Sequence, residues 1–185
     1  ELDRVEDNIA SLDDNGPGVI LPPILTYGTE EQKQTWARGI IEGRQIWWQG
    51  LTEPEAGSDL ASAQTRAVPD GNDWLLSGNK IFQGAGYEQD MYYVLAISHP
   101  DRPRHHNFSV FCFSLHLPGV SWSPMRLIGA DRNSVYMDNV RVPSSAILGQ
   151  PGQGWQVTQA QLEVEHGYGG VRLDRITPSV LDFMK

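Results

Sequence analysis

Apolar and polar residues follow two different periods along the chain, and these periods divide it into helical and β-type segments. Across residues 29–43 apolar side chains recur at helical spacing, which is typical of an amphipathic helix. Thr29 and Gln32 have the spacing of a capping box at its start, and Gly43 suits its end. We predict this helix after an earlier one at residues 1–12, with a turn at residues 13–18 between them.

From residue 44 the period shortens, and turn residues such as Gly and Asn separate the apolar runs. Eight strands are predicted, at residues 45–51, 63–68, 74–77, 80–83, 91–98, 108–115, 120–124 and 134–142. Helical spacing returns between residue 155 and about residue 173. Strands so close together indicate an antiparallel β-sandwich or barrel, so we predict an α+β fold in which helices flank a β-domain. The apolar positions expected between its layers are Trp47 or Trp48, Val94, Phe111 and Phe113.

Composition narrows the functional classes. The chain has 14 basic and 23 acidic residues, a formal net charge of −9, which argues against a nucleic-acid-binding protein because such proteins need a basic face. Cys112 is the only cysteine and lies in an apolar run, so we predict a core residue and a reducing compartment. No apolar run reaches the roughly 18 residues of a membrane span, and no signal peptide is evident. Because the chain starts at Glu1 without a Met, we expect a piece of a longer protein.

The stretch QGLTEPEAGSDLAS, residues 49–62, is the main candidate for a binding site. A strand that enters a polar, Gly-containing turn places backbone N–H groups beside the hydroxyls of Thr52 and Ser58. Such a turn suits a phosphate or the polar edge of a heteroaromatic ring. Glu53 and Asp59 are expected to hold the loop, with Asp59 capping the short turn DLAS. From these residues alone, an ordinary β-turn is an equally good interpretation.

Several motifs, which occur in one order along the chain, resemble those of the acyl-CoA dehydrogenases. They are YGTEEQKQTW at 27–36, TEPEAGSDLAS at 52–62, LSGNKIF at 76–82, PGV at 118–120, VYMDNVRVP at 135–143 and GQGW at 152–155. The resemblance implies three domains: the end of an α-helical N-terminal domain at residues 1–43, a β middle domain at 44–150, and the start of a C-terminal helical bundle at 151–185.

The resemblance also implies FAD as the cofactor. The positions that match the family's flavin site are Gln49, Leu51, Thr52, Gly57, Ser58, Phe82, Gln83 and Gly84. Leu51 and Thr52 are expected at the pyrimidine edge of the flavin ring. Where the family usually has a Trp followed by a hydroxyl-bearing residue, this chain has Phe82-Gln83-Gly84, so Phe82 keeps the ring contact and Gly84 offers only its backbone.

The substrate implied by the resemblance is an acyl-CoA thioester, with contacts at Ser58, Ser98 and His166. The family often has an Arg before the serine at position 98 and another at position 166. This chain has Ile97 and His166 there, so two permanent cations that could meet the CoA phosphates are missing.

The catalytic base that takes the α-proton is expected either at Glu165 or beyond Lys185. In most of the family this Glu lies in the C-terminal domain, and a minority take it from the position that matches Glu165. The adjacent His105 and His106 lie in a polar inter-strand loop, and we predict no metal site there.

The function implied by the resemblance is FAD-dependent dehydrogenation of an acyl-CoA to the 2-enoyl-CoA, within fatty acid metabolism and β-oxidation. Electrons would pass to an electron-transferring flavoprotein, and the full-length protein would form a homo- or hetero-oligomer. The expected location is cytoplasmic for a bacterial protein and the mitochondrial matrix for a eukaryotic one. Two alternatives are a flavin monooxygenase or oxidase of the same fold, and a non-catalytic partner subunit of such an enzyme.

Overall fold

The computed structural model describes residues 15–84, 89–128 and 130–165 of the chain. Helix α1 consists of a π-helical stretch, Gly16–Ile20, followed by an α-helical stretch, Leu21–Tyr27. Helix α2 consists of Glu30–Gln32, the π-helical stretch Lys33–Ala37, and Arg38–Ile41. Helix α3 is Gly154–Glu165. The predicted helix at residues 1–12 and the predicted extension of α3 to residue 173 lie outside the described residues.

Eight strands lie between α2 and α3 in the described chain. They are β1 Trp47–Gly50, β2 Arg66–Asp70, β3 Asp73–Gln83, β4 Met91–Ile97, β5 Phe108–Ser114, β6 Val120–Leu127, β7 Ala130–Pro143 and β8 Ile147–Leu148. Short 3-10 turns occur at Leu60–Ser62 and Ser144–Ala146. The α+β fold class is therefore confirmed.

The start of α2 is capped as predicted. The Thr29 hydroxyl accepts a hydrogen bond from the Gln32 N–H at 3.2 Å, and the Gln32 side-chain oxygen accepts one from the Thr29 N–H at 3.0 Å. The amide nitrogen of Gln32 also donates to the carbonyl oxygens of Ser145 and Ile147. This one glutamine therefore both begins the helix and anchors it to the chain around β8.

The prediction of a turn at residues 13–18 is wrong for the part that is described, because α1 begins at Gly16. Pro17 stands in the first turn of this helix, where the missing N–H of proline costs no hydrogen bond. Ile20 and Ile24 are both 0% exposed, so the helix is maintained by burial of its apolar face.

The strands form one mixed sheet in the order β6-β7-β3-β2-β4-β5-β8, with β1 also beside β4. Five of the seven strand pairings are antiparallel, but β1 and β2 both pair with β4 in parallel. The expectation of a purely antiparallel domain is thus corrected. A parallel pair needs a crossover between its strands, and here the segments between β1 and β4 include β2 and β3.

The two strands predicted at residues 74–77 and 80–83 are one continuous strand, β3. The intervening Gly78 is part of a register irregularity against β7, not a turn. A Cβ at Gly78 would lie 2.4 Å from the Thr65 hydroxyl oxygen and 2.8 Å from the Thr65 Cα, so the glycine permits a close backbone approach.

Two hydrophobic cores lie on opposite faces of β4. Tyr92, Val94 and Ala96 face one core, which the sheet forms by folding β3 and β7 over β4 and β5. Tyr93 and Leu95 face the other core, which the three helices cover. The predicted buried positions Trp47, Trp48, Val94, Phe111 and Phe113 are all at most 4% exposed, and Cys112 is 2% exposed, so these predictions are confirmed. None of the described helices is long and apolar enough to cross a membrane.

The first residue of α3 lies directly on the backbone of β5. A Cβ at Gly154 would be 2.6 Å from the Ser109 Cα and 2.7 Å from the Ser109 backbone nitrogen. These are backbone atoms of a strand that is paired with β4, so they cannot move aside as a flexible side chain could. Gly154 therefore sets how closely α3, and the residues it carries, approach the sheet.

Gly154→Ala is expected to lower the free energy of unfolding of the full-length protein by about 1–3 kcal/mol, the usual cost of overpacking. Gly18→Ala is the matched control, because Gly18 lies in α1 and a Cβ there would meet no atom within 4 Å. The control is expected to be neutral or to stabilise by up to about 1 kcal/mol. Denaturant unfolding monitored by tryptophan fluorescence measures both, and equal stabilities for the two variants would contradict the proposed close contact.

Candidate functional site

A cavity of about 280 Å³ opens where β1, β3, the residues after β1 and the end of α3 meet. Its lining is mainly polar and consists of Asn15, Gln49, Leu51, Thr52, Ile81, Phe82, Gln83, Gly84, Arg132 and Glu165. The lining combines six of the eight positions predicted for the flavin with the predicted candidate base. Gln49 and Glu165 are 116 positions apart in the sequence, and the fold brings them to one cavity.

A buried ion pair supports the loop that lines this cavity. Lys80 Nζ lies 2.7 Å from Glu53 Oε1, and the two side chains are 0% and 5% exposed. The same carboxylate accepts hydrogen bonds from the backbone N–H groups of Gln64 and Thr65, at 2.6 and 3.0 Å. The expectation that Glu53 holds the loop agrees with this geometry, although the sequence did not identify Lys80 as its partner.

The ion pair shifts the pKa of both members. Burial lowers the pKa of Lys80 to about 8, and the neighbouring Glu53 carboxylate offsets only part of that effect. Burial by itself would raise the pKa of Glu53, but the charge and hydrogen bond of Lys80, with the hydrogen bonds from Thr65 and Gln64, outweigh it, so the pKa lies below its usual value. The lowered pKa of Glu53 favours its ionised form, and a pKa of about 8 still leaves Lys80 mainly protonated near neutral pH.

Phe82 has a backbone conformation that is unusual for its residue type. Its φ is +61°, in the left-handed region, and the β3–β7 register shifts between Lys80 and Gln83. Its side chain is 49% exposed although it is large and apolar. A strained position that presents an aromatic ring to a cavity is typical of a ligand-contact site. Beside it, the Gly84 carbonyl oxygen accepts a hydrogen bond from Asn133 Nδ2 at 2.9 Å.

Two glutamine amides hold the Glu165 carboxylate at the other side of the cavity. Gln49 Nε2 on β1 donates to Glu165 Oε2 at 3.0 Å, and Gln161 Nε2, one turn earlier on α3, donates to the same oxygen at 2.9 Å. The other oxygen of the carboxylate receives neither amide. The side-chain oxygens of Gln49 and Gln161 are buried and accept no hydrogen bond from any described residue.

Some predicted site residues do not line the cavity. Gly57 and Ser58 are exposed in the turn that follows the cavity loop. Ser98 is 5% exposed, and its hydroxyl lies 2.6 Å from the Ser109 hydroxyl and 2.8 Å from His99 Nδ1. His166 lies outside the described residues. Their predicted contacts with cofactor or substrate stay predictions.

Asp59 differs from its expected role. It stands at the N-cap of the turn Leu60–Ser62 but makes no side-chain cap, and its carboxylate pairs with Arg104 instead. The predicted inter-strand loop around His105 packs on α3, because the His105 ring lies 4.4 Å from the Trp155 ring.

The sequence analysis missed Asn15, Ile81 and Arg132 among the lining residues, and Gln161 beside them. Arg132 is the one permanent cation among the described lining residues, and it reaches the cavity because β7 pairs with β3, with Asn133 opposite Gln83. Gln161 is 0% exposed and donates a hydrogen bond to Glu165. The only indication of this role in the sequence is that Gln161 lies four residues, about one helical turn, before the candidate base Glu165.

Comparison of the sequence with known proteins finds a family model and several related proteins. A family model described as acyl-CoA dehydrogenase, middle domain, matches residues 49–140. The chain is 36% identical over 146 residues to acyl-CoA dehydrogenase FadE34 of Mycobacterium tuberculosis, covering 78% of this chain and 20% of that protein. It is 34% identical over 154 residues to acyl-CoA dehydrogenase IpdE1 of the same organism, covering 82% and 40%.

Solved structures agree with these matches. The structure titled Tcur3481-Tcur3483 steroid ACAD superposes with a TM-score of 0.78 at 35% identity, over 83% of this chain and 40% of that chain. The chain thus spans less than half the length of each of these relatives.

Glu53→Gln is expected to cost about 3 kcal/mol of folding free energy at neutral pH, because it leaves a buried ammonium unpaired. The loss should shrink as pH rises, since the unpaired Lys80 then sheds its proton more readily in the folded chain than in the unfolded one. Asp59→Asn, the same chemical change six residues on in an exposed ion pair, is expected to cost less than about 1 kcal/mol. Denaturant unfolding at several pH values measures both, and similar losses for the two variants would refute the assignment of the buried pair.

Proposed function

The chain belongs to the acyl-CoA dehydrogenase family, and on that premise we propose that the full-length protein oxidises an acyl-CoA thioester to the 2-enoyl-CoA with FAD. An electron-transferring flavoprotein then receives the electrons, and the active protein is an oligomer. The observation that carries the proposal is the meeting of Gln49, Thr52, Phe82 and Gln83 with the Glu165 carboxylate at one cavity.

The residues present fit a flavin ring. A flavin has a flat aromatic body and a polar pyrimidine edge with an N–H donor between carbonyl acceptors. The buried side-chain oxygens of Gln49 and Gln83 lack donors among the described residues and would accept from such an edge. Phe82 offers an exposed ring to the body, and Leu51 and Thr52 offer backbone groups. A cavity of about 280 Å³ suits the ring rather than the whole cofactor.

Glu165 is the candidate base for the α-proton. When bound, FAD supplies the acceptor for the hydride that leaves the β-carbon. The free oxygen of the Glu165 carboxylate takes the α-proton, while the amides of Gln49 and Gln161 hold the other oxygen. Arg132, at the same cavity, is placed to balance negative charge on a bound anionic group.

The contacts with the CoA part of the substrate are proposed at Ser58, Ser98 and His166, and Gly57 and Ser58 are proposed to lie beside the flavin. The exposure of the turn at Gly57 and Ser58 leaves room for a ligand there. The burial of the Ser98 hydroxyl against Ser109 gives less support for a direct contact at that position.

The proposed division is a helical end at residues 1–43, a β-domain at 44–150 and the start of a helical bundle at 151–185. All described strands fall between residues 47 and 148, which supports these limits. The cavity crosses the second limit, because Gln49 and Glu165 lie on its two sides.

Purified full-length protein provides the test of this function. It is expected to carry FAD, and an acyl-CoA added without oxygen is expected to bleach the flavin absorbance. Bound flavin that no acyl-CoA bleaches, but that reacts with oxygen after chemical reduction, would favour the oxidase or monooxygenase alternative. Protein that binds neither FAD nor acyl-CoA would favour the partner-subunit alternative, which the buried state of Ser98 makes worth testing.

Phe82→Gly is expected to weaken FAD binding about tenfold, or about 1.4 kcal/mol, because the aromatic contact is lost. The free energy of unfolding is expected to stay within about 1 kcal/mol, since relief of the left-handed strain offsets the flexibility of glycine. Flavin-fluorescence titration and denaturant unfolding measure the two quantities. Asn139→Gly is the matched control, because Asn139 also has a positive φ, of +50°, but does not line the cavity. Equal FAD affinity for wild type and Phe82→Gly would rule out the ring contact.

Glu165→Gln is expected to slow acyl-CoA-driven bleaching of the flavin by at least about 100-fold, the usual size of a general-base contribution. Glutamine keeps the shape of the side chain, so folding and FAD content are expected to be unchanged. Glu163→Gln, at an exposed position two residues earlier on α3, is expected to bleach at the wild-type rate. Stopped-flow absorbance measures all three proteins, and normal bleaching by Glu165→Gln would place the base beyond residue 185.

A further inference from the structure

A buried ion pair lies beneath the residues that line the cavity. The Lys80 and Glu53 side chains are 0% and 5% exposed, and their charged atoms are 2.7 Å apart. Removing two charges from water is costly, and an apolar pair of similar volume is often as stable or more stable. The stability of the fold therefore does not require charged residues at this position. The hydrogen bonds that the two charged groups make with the cavity loop offer another reason for them.

The pair and its neighbours fix three consecutive residues of the cavity loop to β3. Lys80 Nζ donates to the Leu51 carbonyl oxygen at 3.1 Å as well as to Glu53. Next to it, the Ile81 N–H donates to the Thr52 carbonyl oxygen at 2.9 Å. Leu51, Thr52 and Ile81 all line the cavity. The Lys80 ammonium group is therefore one hydrogen bond away from a lining residue, Leu51.

The other side of the loop is held by the same carboxylate. Both oxygens of Glu53 accept backbone N–H groups, from Gln64 and Thr65. The Glu53 backbone also closes a tight turn with Ala56, in which each residue's N–H donates to the other's carbonyl oxygen. These hydrogen bonds hold the loop backbone from the end of β1 to the turn that carries Gly57 and Ser58.

We propose that Lys80 and Glu53 are positioning residues for the flavin, which hold the backbone of Leu51 and Thr52 in the arrangement that receives the polar edge of the ring. This inference rests on the proposed function, since it concerns the affinity of the same cavity for FAD. It states that the charges of the pair act on cofactor affinity more than on folding.

The pH dependence of FAD affinity provides a second test, because it follows the protonation of Lys80. Burial lowers its pKa to about 8, and loss of that proton leaves the buried Glu53 carboxylate without a counter-charge. FAD affinity is therefore expected to fall as pH rises through this value. Tyr92 on β4 is the other described titratable side chain whose pKa responds to Glu53, and burial raises that pKa well above its usual value, so Tyr92 stays neutral there.

Folding responds to the same titration with the opposite sign. The unfolded chain, in which Lys80 has its ordinary pKa of 10.5, holds the proton more tightly than the folded chain. Between the two values this group makes the folded state more stable as pH rises. A merely structural ion pair would not weaken FAD binding in a range where its lysine contributes increasing stability.

The experiment compares FAD binding and stability in full-length protein with both charges removed, as Glu53→Gln/Lys80→Met. Removing both partners avoids an unpaired buried charge, so the double variant is expected to fold. Its FAD affinity is expected to be at least about tenfold weaker than that of the wild type, with a melting temperature within a few degrees. The matched control is Glu30→Gln/Lys33→Met, which removes a surface ion pair on α2 and is expected to bind FAD normally.

The outcomes separate this inference from the function on which it rests. A wild-type protein that does not bind FAD contradicts the proposed function. A wild type that binds FAD together with a folded double variant of equal affinity overturns the positioning role alone. Should the double variant not fold, the wild type decides: affinity that falls about tenfold between about pH 7 and about pH 9.5 supports the role, and constant affinity contradicts it.

Discussion

Burial of β4 on both of its faces is the constraint on which the rest of the structure depends. The strand reads MYYVLAI, and its five central residues are all buried. Because side chains alternate along a strand, Tyr92 and Val94 enter the core inside the folded sheet, while Tyr93 and Leu95 enter the core beneath the helices. A strand covered on both sides must be central, and β1, β2 and β5 all pair with it. Helical layer and sheet are thus joined through one strand.

The cavity forms at the end of β1 because the chain there must leave this central position. β1 pairs with β4 only as far as Gly50, opposite Val94, and a Cβ at Gly50 would lie 2.6 Å from the Tyr92 hydroxyl oxygen. Beyond that point the backbone of residues 51–53 leaves β4, and Thr52 instead accepts a hydrogen bond from the Ile81 N–H of β3. Lys80 donates a hydrogen bond to the buried Leu51 carbonyl oxygen and Glu53 accepts one from the partly buried Gln64 N–H, which an apolar contact could not do.

The sequence predicted what local chemistry determines and missed what depends on distant contacts. The capping box at Thr29, the strand positions and the six cavity residues were predicted because each has a local pattern or a family motif. The parallel pairing of β1 with β4 was not, since period-two alternation contains no information on strand direction. Helix α1 was missed because its Gly and Pro residues favour turns, and only burial of Ile20 and Ile24 outweighs that preference. Asp59 took Arg104 as its partner, a loop contact that no spacing indicates.

The position of Glu165 couples the chemistry of the cavity to the packing of the whole fold. Its two amide partners come from different elements, Gln49 from β1 and Gln161 from α3, so the carboxylate is placed only if α3 lies at the right height on the sheet. That height is set by the contact of Gly154 with the β5 backbone. A glutamine amide can donate to a carboxylate through its nitrogen or, after rotation, accept from a carboxylic acid through its oxygen. The Gln161 oxygen has no donor among the described residues, so this glutamine can hold Glu165 in either protonation state, which a lysine or an arginine in its place could not do.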